Sequence, residues 1–71
     1  MMPLTMAAVG EKNKVLKVNG LDDTKRFLTN LGFTEGAEVT VVSRISGNLI
    51  VNIRDSRVAL DEVMAKKIMI L

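Results

Sequence analysis

The sequence predicts a mainly β fold, in which about five short strands form a small barrel and one short helix follows the first strand. Three observations lead to this prediction. Apolar and polar residues alternate along residues 38–45 and 49–54, as they do in half-buried strands. Along residues 21–31 the apolar residues recur every three or four positions instead, which is the spacing of one helix face. The chain has 71 residues, so residues 1–71 are expected to form one domain.

The N-terminal half of the chain is predicted to supply one strand and the helix. Residues 1–10 are apolar and small, and we expect an irregular arm or a single helical turn there. Lys14–Val18 is short and β-branched and lies between turn residues, which predicts the first strand. The helical spacing that follows places four side chains on one buried face, namely Thr24, Phe27, Leu28 and Leu31.

Both ends of the predicted helix carry local signals. We expect Asp22 or Asp23 to accept hydrogen bonds from the free N–H groups of the first turn. Gly32 is suited to the left-handed conformation that ends many helices. Phe33 would then contact Leu28 in a Schellman arrangement, so the helix is closed at both ends by local chemistry.

The second half of the chain is predicted to form the remaining strands. After a tight turn at residues 34–37, the strand Glu38–Ile45 is expected to direct Val39, Val41 and Ile45 toward the core. The segment Ser46-Gly47-Asn48 then predicts a β-hairpin with the strand that follows.

The C-terminal segment is predicted to complete the barrel. Asp55-Ser56 is expected to turn the chain into a strand at Arg57–Leu60, Asp61 to cap one helical turn, and Ile68–Leu71 to form the closing strand. Five short strands with one inserted helix are typical of a small Src-homology-3-like barrel. Closure of such a barrel would remove the exposed strand edges.

The composition excludes several kinds of chemistry. The chain has no cysteine and no histidine, so it lacks the commonest ligands of zinc, copper and non-haem iron and the usual general base near neutral pH. The paired carboxylates Asp22-Asp23 and Asp61-Glu62 lie where helices are expected to begin, and helix capping accounts for them. We therefore expect no enzyme, no catalytic residue, no cofactor and no metal site.

Charge and hydropathy also narrow the choice of partners. The net charge is +2 and the pI about 9.3, but lysine and arginine are spread along the chain, and Phe27 and Phe33 are its only aromatic residues. This pattern argues against a nucleic-acid-binding face. No segment approaches the roughly 20 apolar residues of a membrane span, and the N-terminus lacks the basic region of a signal peptide. A cytoplasmic location is therefore expected.

The chain carries more apolar residues than the core of so small a barrel can hold. We expect some of them to lie at the surface, and contiguous exposed apolar area usually marks a binding surface. These physical considerations favour an interaction module. The residues in question are Met1, Met2, Leu4, Met6, Val9, Leu16, Leu21, Phe33, Val42 and Ile50.

The segment from Arg26 to Val39 resembles the signature of the FeoA family, in which a helix ends in Leu-Gly-Phe and two further residues precede a glycine and a strand. Leu4-Thr5 and Gly10 before this segment, and residues 57–68 after it, resemble the flanking pieces in the same order. The resemblance implies a Src-homology-3-like barrel that works with FeoB, the membrane ferrous-iron transporter with a cytoplasmic GTPase domain. It supplies no catalytic residues.

Two functions of different classes remain open at this point. In the first, the protein is an accessory of ferrous iron transport that binds the cytoplasmic GTPase part of FeoB and meets the membrane only through that partner. The docking surface would be the helix face around Lys25, Arg26, Asn30 and Phe33, or the adjacent hairpin. In the second, the chain is a stand-alone Src-homology-3-like peptide- or RNA-binding module unrelated to iron. The sequence leaves the formation of homo-oligomers open.

Overall fold

The computed structural model describes all residues, Met1–Leu71, and consists of one antiparallel sheet with short helices between its strands. The prediction of a mainly β fold with a helix after the first long strand is confirmed. The sheet has six strands rather than five, because two residues of the N-terminal arm pair with the last strand. In chain order the elements are β1 (Met2–Pro3), a 3₁₀ helix (Leu4–Met6), β2 (Lys12–Val18), α1 (Asp22–Leu31), β3 (Glu38–Ile45), β4 (Asn48–Ile53), β5 (Ser56–Leu60), α2 (Glu62–Ala65) and β6 (Ile68–Ile70).

The strands follow the order β1-β6-β2-β3-β4-β5 across the sheet. β2 serves both halves, since Lys12–Lys14 pair with β3 and Val15–Val18 pair with β6, with a register shift between Val15 and Lys17. The expectation that barrel closure would remove every strand edge was wrong. β1 is only two residues long and its partner is β6, so no residue pair joins it to β5 and both strands remain edges.

The core is one hydrophobic cluster to which nearly every element contributes. It is almost entirely aliphatic, and its largest member is Phe33. In so short a chain a few buried side chains supply most of the hydrophobic stabilisation, so each of them matters. The cluster consists of Leu4, Ala7, Val15, Leu28, Phe33, Val39, Val41, Leu49, Val51, Ile53, Leu60, Ala65, Ile68 and Ile70.

The two ends of α1 differ in how well the sequence predicted them. Leu21 occupies the N-cap position and makes no side-chain capping bond, so the expectation of a cap by Asp22 or Asp23 was wrong. Both carboxylates lie in the first turn, where their negative charges interact favourably with the helix dipole. The C-terminal prediction is confirmed. Gly32 has φ 112°, its N–H donates to the Thr29 carbonyl over 2.9 Å, and the Phe33 N–H donates to the Leu28 carbonyl over 3.1 Å.

A β-bulge in β3 changes which side chains face the core. Val41 pairs with Val51 and Ser43 with Ile50, so two residues of β3 oppose one residue of β4. The extra residue shifts the alternation by one position, and Ile45 is consequently 58% exposed. The prediction that Ile45 faces the core was therefore wrong.

The turns follow local sequence signals closely. Ser46 and Gly47 both have positive φ angles, 50° and 83°, and form the two-residue loop of the predicted hairpin. The next turn consists of Arg54-Asp55, one residue earlier than predicted. Asp61 caps α2 as predicted, since its Oδ1 accepts a hydrogen bond from the Met64 N–H over 2.8 Å.

Candidate functional site

The exposed side of α1 is the candidate docking surface. The helix packs on the sheet through Leu28, which is buried, and through Thr24 and Leu31, which are half-buried. Because successive helical residues are about 100° apart, a second set of residues forms one exposed flank, which runs from the margin of this buried stripe toward the far side of the helix. We call this set the α1 outer face; it consists of Asp23, Arg26, Phe27 and Asn30, all of them exposed.

The four residues predicted to bind a partner do not share one surface. Arg26 and Asn30 lie one helical turn apart on the α1 outer face. Lys25 is exposed but lies on the other flank, about 160° around the helix from Phe27. Phe33 is only 1% exposed, so its placement at the docking surface was wrong. Its ring fills the core beside the Schellman stop and cannot reach a partner.

Phe27 is the aromatic side chain that lies at the surface. It was expected on the buried face of the helix, but 52% of its surface is exposed. The physical reason is that α1 rests on the small sheet along a narrow stripe, and Phe27 lies at the margin of that stripe beside Leu31. The Schellman pattern already required Phe33 to face inward, which leaves Phe27 as the only aromatic side chain at the surface.

The charges of the α1 outer face remain available to a partner. Arg26 Nη1 lies 3.8 Å from Asp23 Oδ1, and both side chains are highly exposed. Such an exposed i,i+3 pair contributes little stability and is easily exchanged. Arg26 therefore keeps most of its fork of five donors for a carboxylate or carbonyl group on another molecule.

Arg54 lies against the C-terminal end of α1. Its Nη2 donates to Thr34 Oγ1 over 2.7 Å, and a Cβ built on Gly32 would lie 3.2 Å from its Cδ atom. The side chain thus lies against the last turn of α1, where a cation is favourable to the helix dipole. Sequence reasoning missed this residue, because only the folded chain brings the β4–β5 turn next to Gly32.

A second surface feature is an open recess where the 3₁₀ helix, the tip of the β3–β4 hairpin and α2 meet. Its volume is about 220 Å³, and its one hydrophobic lining residue is Leu49. Arg44 also lines it, and its Nη2 donates to the Ala7 carbonyl. Pockets for cofactors and small ligands are usually larger and mostly apolar, so this recess does not resemble one.

Two further features are absent from the structure: a cluster of metal-ligating side chains and a membrane-spanning helix. No three side chains of a metal-ligating type come together in a cluster that could hold an ion. No helix is long and apolar enough to cross a membrane.

Comparison with known proteins links the chain to one family and to solved structures of that family. The family model of the FeoA domain matches residues 2–71. An iron uptake regulatory protein (FeoA) of known structure is 26% identical, with a TM-score of 0.89 over 99% of this chain and 93% of that chain. No match is found among curated proteins.

Two further solved structures have the same fold. FeoA of Stenotrophomonas maltophilia, solved in complex with zinc, is 29% identical, with a TM-score of 0.88 over 99% of this chain and 89% of that chain. It is described as a prokaryotic SH3 domain protein and a candidate activating factor of ferrous iron transport. A manganese-dependent transcriptional repressor, 21% identical with a TM-score of 0.86, contains the same fold in 40% of its length.

Proposed function

Because this chain belongs to the FeoA domain family, whose model matches it from residue 2 to residue 71, we propose that it is an accessory protein of ferrous iron transport. The description of the 29% identical Stenotrophomonas relative supports this link. The protein acts by binding another protein and not by catalysis. Its partner is FeoB, the membrane transporter with a cytoplasmic GTPase domain, and this partner places the protein in the cytoplasm.

The α1 outer face is the proposed docking surface, with Phe27 as its apolar anchor. Phenylalanine and arginine are enriched in protein interfaces, and here one of each belongs to the same exposed face of a single helix. The Phe27 ring is already about half covered by its own domain, so its conformation is partly fixed before binding. Binding to a partner then costs less side-chain entropy than it would for a freely rotating ring.

Polar groups around Phe27 give the interface its direction. Arg26 and Asn30 lie on the same side of the helix, and Lys25 at its flank has no carboxylate within 4 Å. Arg26 and Asn30 can therefore donate hydrogen bonds beside an aromatic side chain that the partner would bury. We expect the complementary surface of FeoB to combine an apolar pocket with carboxylate or carbonyl oxygens.

Titration of the purified protein against the cytoplasmic GTPase part of FeoB tests this function, with GDP and with a non-hydrolysable GTP analogue. We expect saturable binding that Phe27→Ala weakens roughly thirtyfold, the effect of losing a hot-spot side chain. Arg26→Glu should weaken it as well.

Two matched variants serve as controls. Ile45→Ala removes a similarly exposed apolar side chain from the β3–β4 hairpin, and Lys66→Glu reverses an exposed charge on the α2 side. Both should leave the affinity nearly unchanged. Absence of binding in both nucleotide states would refute the proposed function, whereas loss of binding in Ile45→Ala alone would move the docking surface to the hairpin.

A further inference from the structure

The outer edge of the sheet is formed by β5, which has a sheet neighbour on one side only. Its five residues pair with β4 through the register Ile53↔Ser56 to Leu49↔Leu60. No other strand lies beyond it. Ser56, Arg57 and Ala59 are exposed. This edge can therefore be reached from solvent along most of its length.

The register shows which backbone groups point away from the sheet. Ile53 and Ser56 flank a two-residue loop and thus form a hydrogen-bonded pair, and in an antiparallel ladder such pairs alternate with non-bonded ones. The N–H and C=O groups of Arg57 and Ala59 consequently point outward. No backbone hydrogen bond from another part of the chain reaches either residue.

β5 has few of the features that usually keep an edge strand from pairing with another chain. Proteins commonly shield such an edge with proline, a bulge, several charges or a covering segment. β5 contains no proline and pairs with β4 without a register shift. Arg57 is its only charged residue, and the small side chain of Ala59 leaves its outward backbone groups open.

We propose that this edge binds the β5 edge of a second copy of the chain, antiparallel and around a two-fold axis at Ala59. The outward groups allow only a few symmetric registers. Centring on Arg57 would oppose two arginines, and centring on Val58 would oppose Asp55 to the partner's Asp61. Centring on Ala59 instead places Arg57 opposite the partner's Asp61, and the symmetry repeats this attractive pair.

Arg57 and Asp61, which face each other in that register, both keep hydrogen-bonding groups that are not used within the chain. Arg57 Nε donates to Asn52 Oδ1 over 3.2 Å, which orients the guanidinium and leaves its two terminal nitrogens free. Asp61 uses Oδ1 to cap α2, so its second carboxylate oxygen remains an acceptor. Ala59 pairs with the half-buried Ile50 across the ladder, and the dimer would continue this apolar row into the second sheet.

This inference uses no residue of the α1 outer face and does not depend on the proposed function. The dimer would carry two copies of that face on one continuous sheet. Only five residues of each chain would pair with the second copy, so we expect a weak association. A high local concentration of the protein would favour it.

Sedimentation velocity and amide NMR of the isolated protein, from micromolar to millimolar concentration at low salt, test the inference. We expect the mass to rise toward twice the 7.8 kDa monomer and the amide signals of Arg57 and Ala59 to shift. Ala59→Pro removes an outward N–H group that takes no part in the β4–β5 ladder, and both copies of that donor are lost, so dimerisation should weaken roughly tenfold or more. Ala59→Ser keeps the donor and is the control.

A second variant tests the register. Arg57→Glu places one carboxylate opposite the partner's Asp61, in both symmetry-related pairs, and should weaken dimerisation roughly fivefold, whereas Arg57→Lys should not. Thermal unfolding of each variant confirms that it is folded. A monomer at every concentration, or a dimer that Ala59→Pro leaves unchanged, would overturn the inference.

Discussion

Replacing each of the two phenylalanines by alanine separates the core of this protein from its proposed docking surface. Phe33 is 1% exposed and is the largest fully buried side chain, whereas Phe27 is 52% exposed. Truncation of a buried phenylalanine usually costs about 3–5 kcal/mol, including the cavity that remains. A chain of 71 residues has a total stability of only about 4–11 kcal/mol at the usual ~0.05–0.15 kcal/mol per residue.

Phe33→Ala should therefore remove about a quarter or more of the free energy of unfolding. In urea, the transition midpoint should fall steeply while the m-value stays nearly constant. Phe27→Ala should cost only about 1 kcal/mol or less, because half of its ring is already in water. Equal losses for the two variants, or a larger loss for Phe27→Ala, would refute the assignment of Phe33 to the core and Phe27 to the surface.

Three further predictions concern turns, caps and the bulge, each measured by urea or thermal unfolding. Gly32→Ala should cost about 2 kcal/mol from backbone strain alone, and more than Gly10→Ala, because its Cβ would also press on Arg54 while Gly10 faces open space. Asp61→Ala should cost about 1 kcal/mol through loss of the α2 cap, whereas Asp61→Asn should retain most of it. Ile45→Lys should change stability by less than about 0.5 kcal/mol, and a loss of several kcal/mol would mean that no bulge turns this residue outward.

Local chemistry made much of the fold predictable. Gly32 with its positive φ, the hairpin loop Ser46-Gly47 and the Asp61 cap are each determined by a few neighbouring residues. The glycine stop and the cap were predicted correctly, and the loop lies within the predicted segment Ser46-Gly47-Asn48, whose last residue belongs to β4. The bounds of β3 also agree with its alternating pattern. Such signals are readable because the conformational preference lies in the residues themselves.

Features that depend on distant contacts were not predictable in the same way. The bulge in β3 arises from its pairing with β4, and the run Val41-Val42 gives no sign of where the alternation breaks. β1 exists only because Met2 meets Ile70 at the other end of the chain. Its strand character is therefore absent from its own short sequence.

The candidate site shows the same division. The sequence identified α1 as the element of interest and placed Arg26 and Asn30 at the surface, where the structure has them. It placed Phe27 on the buried helix face and Phe33 at the docking surface, whereas packing against the sheet buries Phe33 and leaves Phe27 exposed. Arg54 reaches the end of α1 through a contact between residues far apart in sequence.

Amide NMR of the labelled protein during addition of the cytoplasmic part of FeoB tests the proposed docking of the α1 outer face. We predict saturable signal changes centred on Arg26, Phe27 and Asn30, with little change along the β3–β4 hairpin. Signals that stay unchanged throughout the titration, or that change only at the hairpin, would contradict the proposed docking.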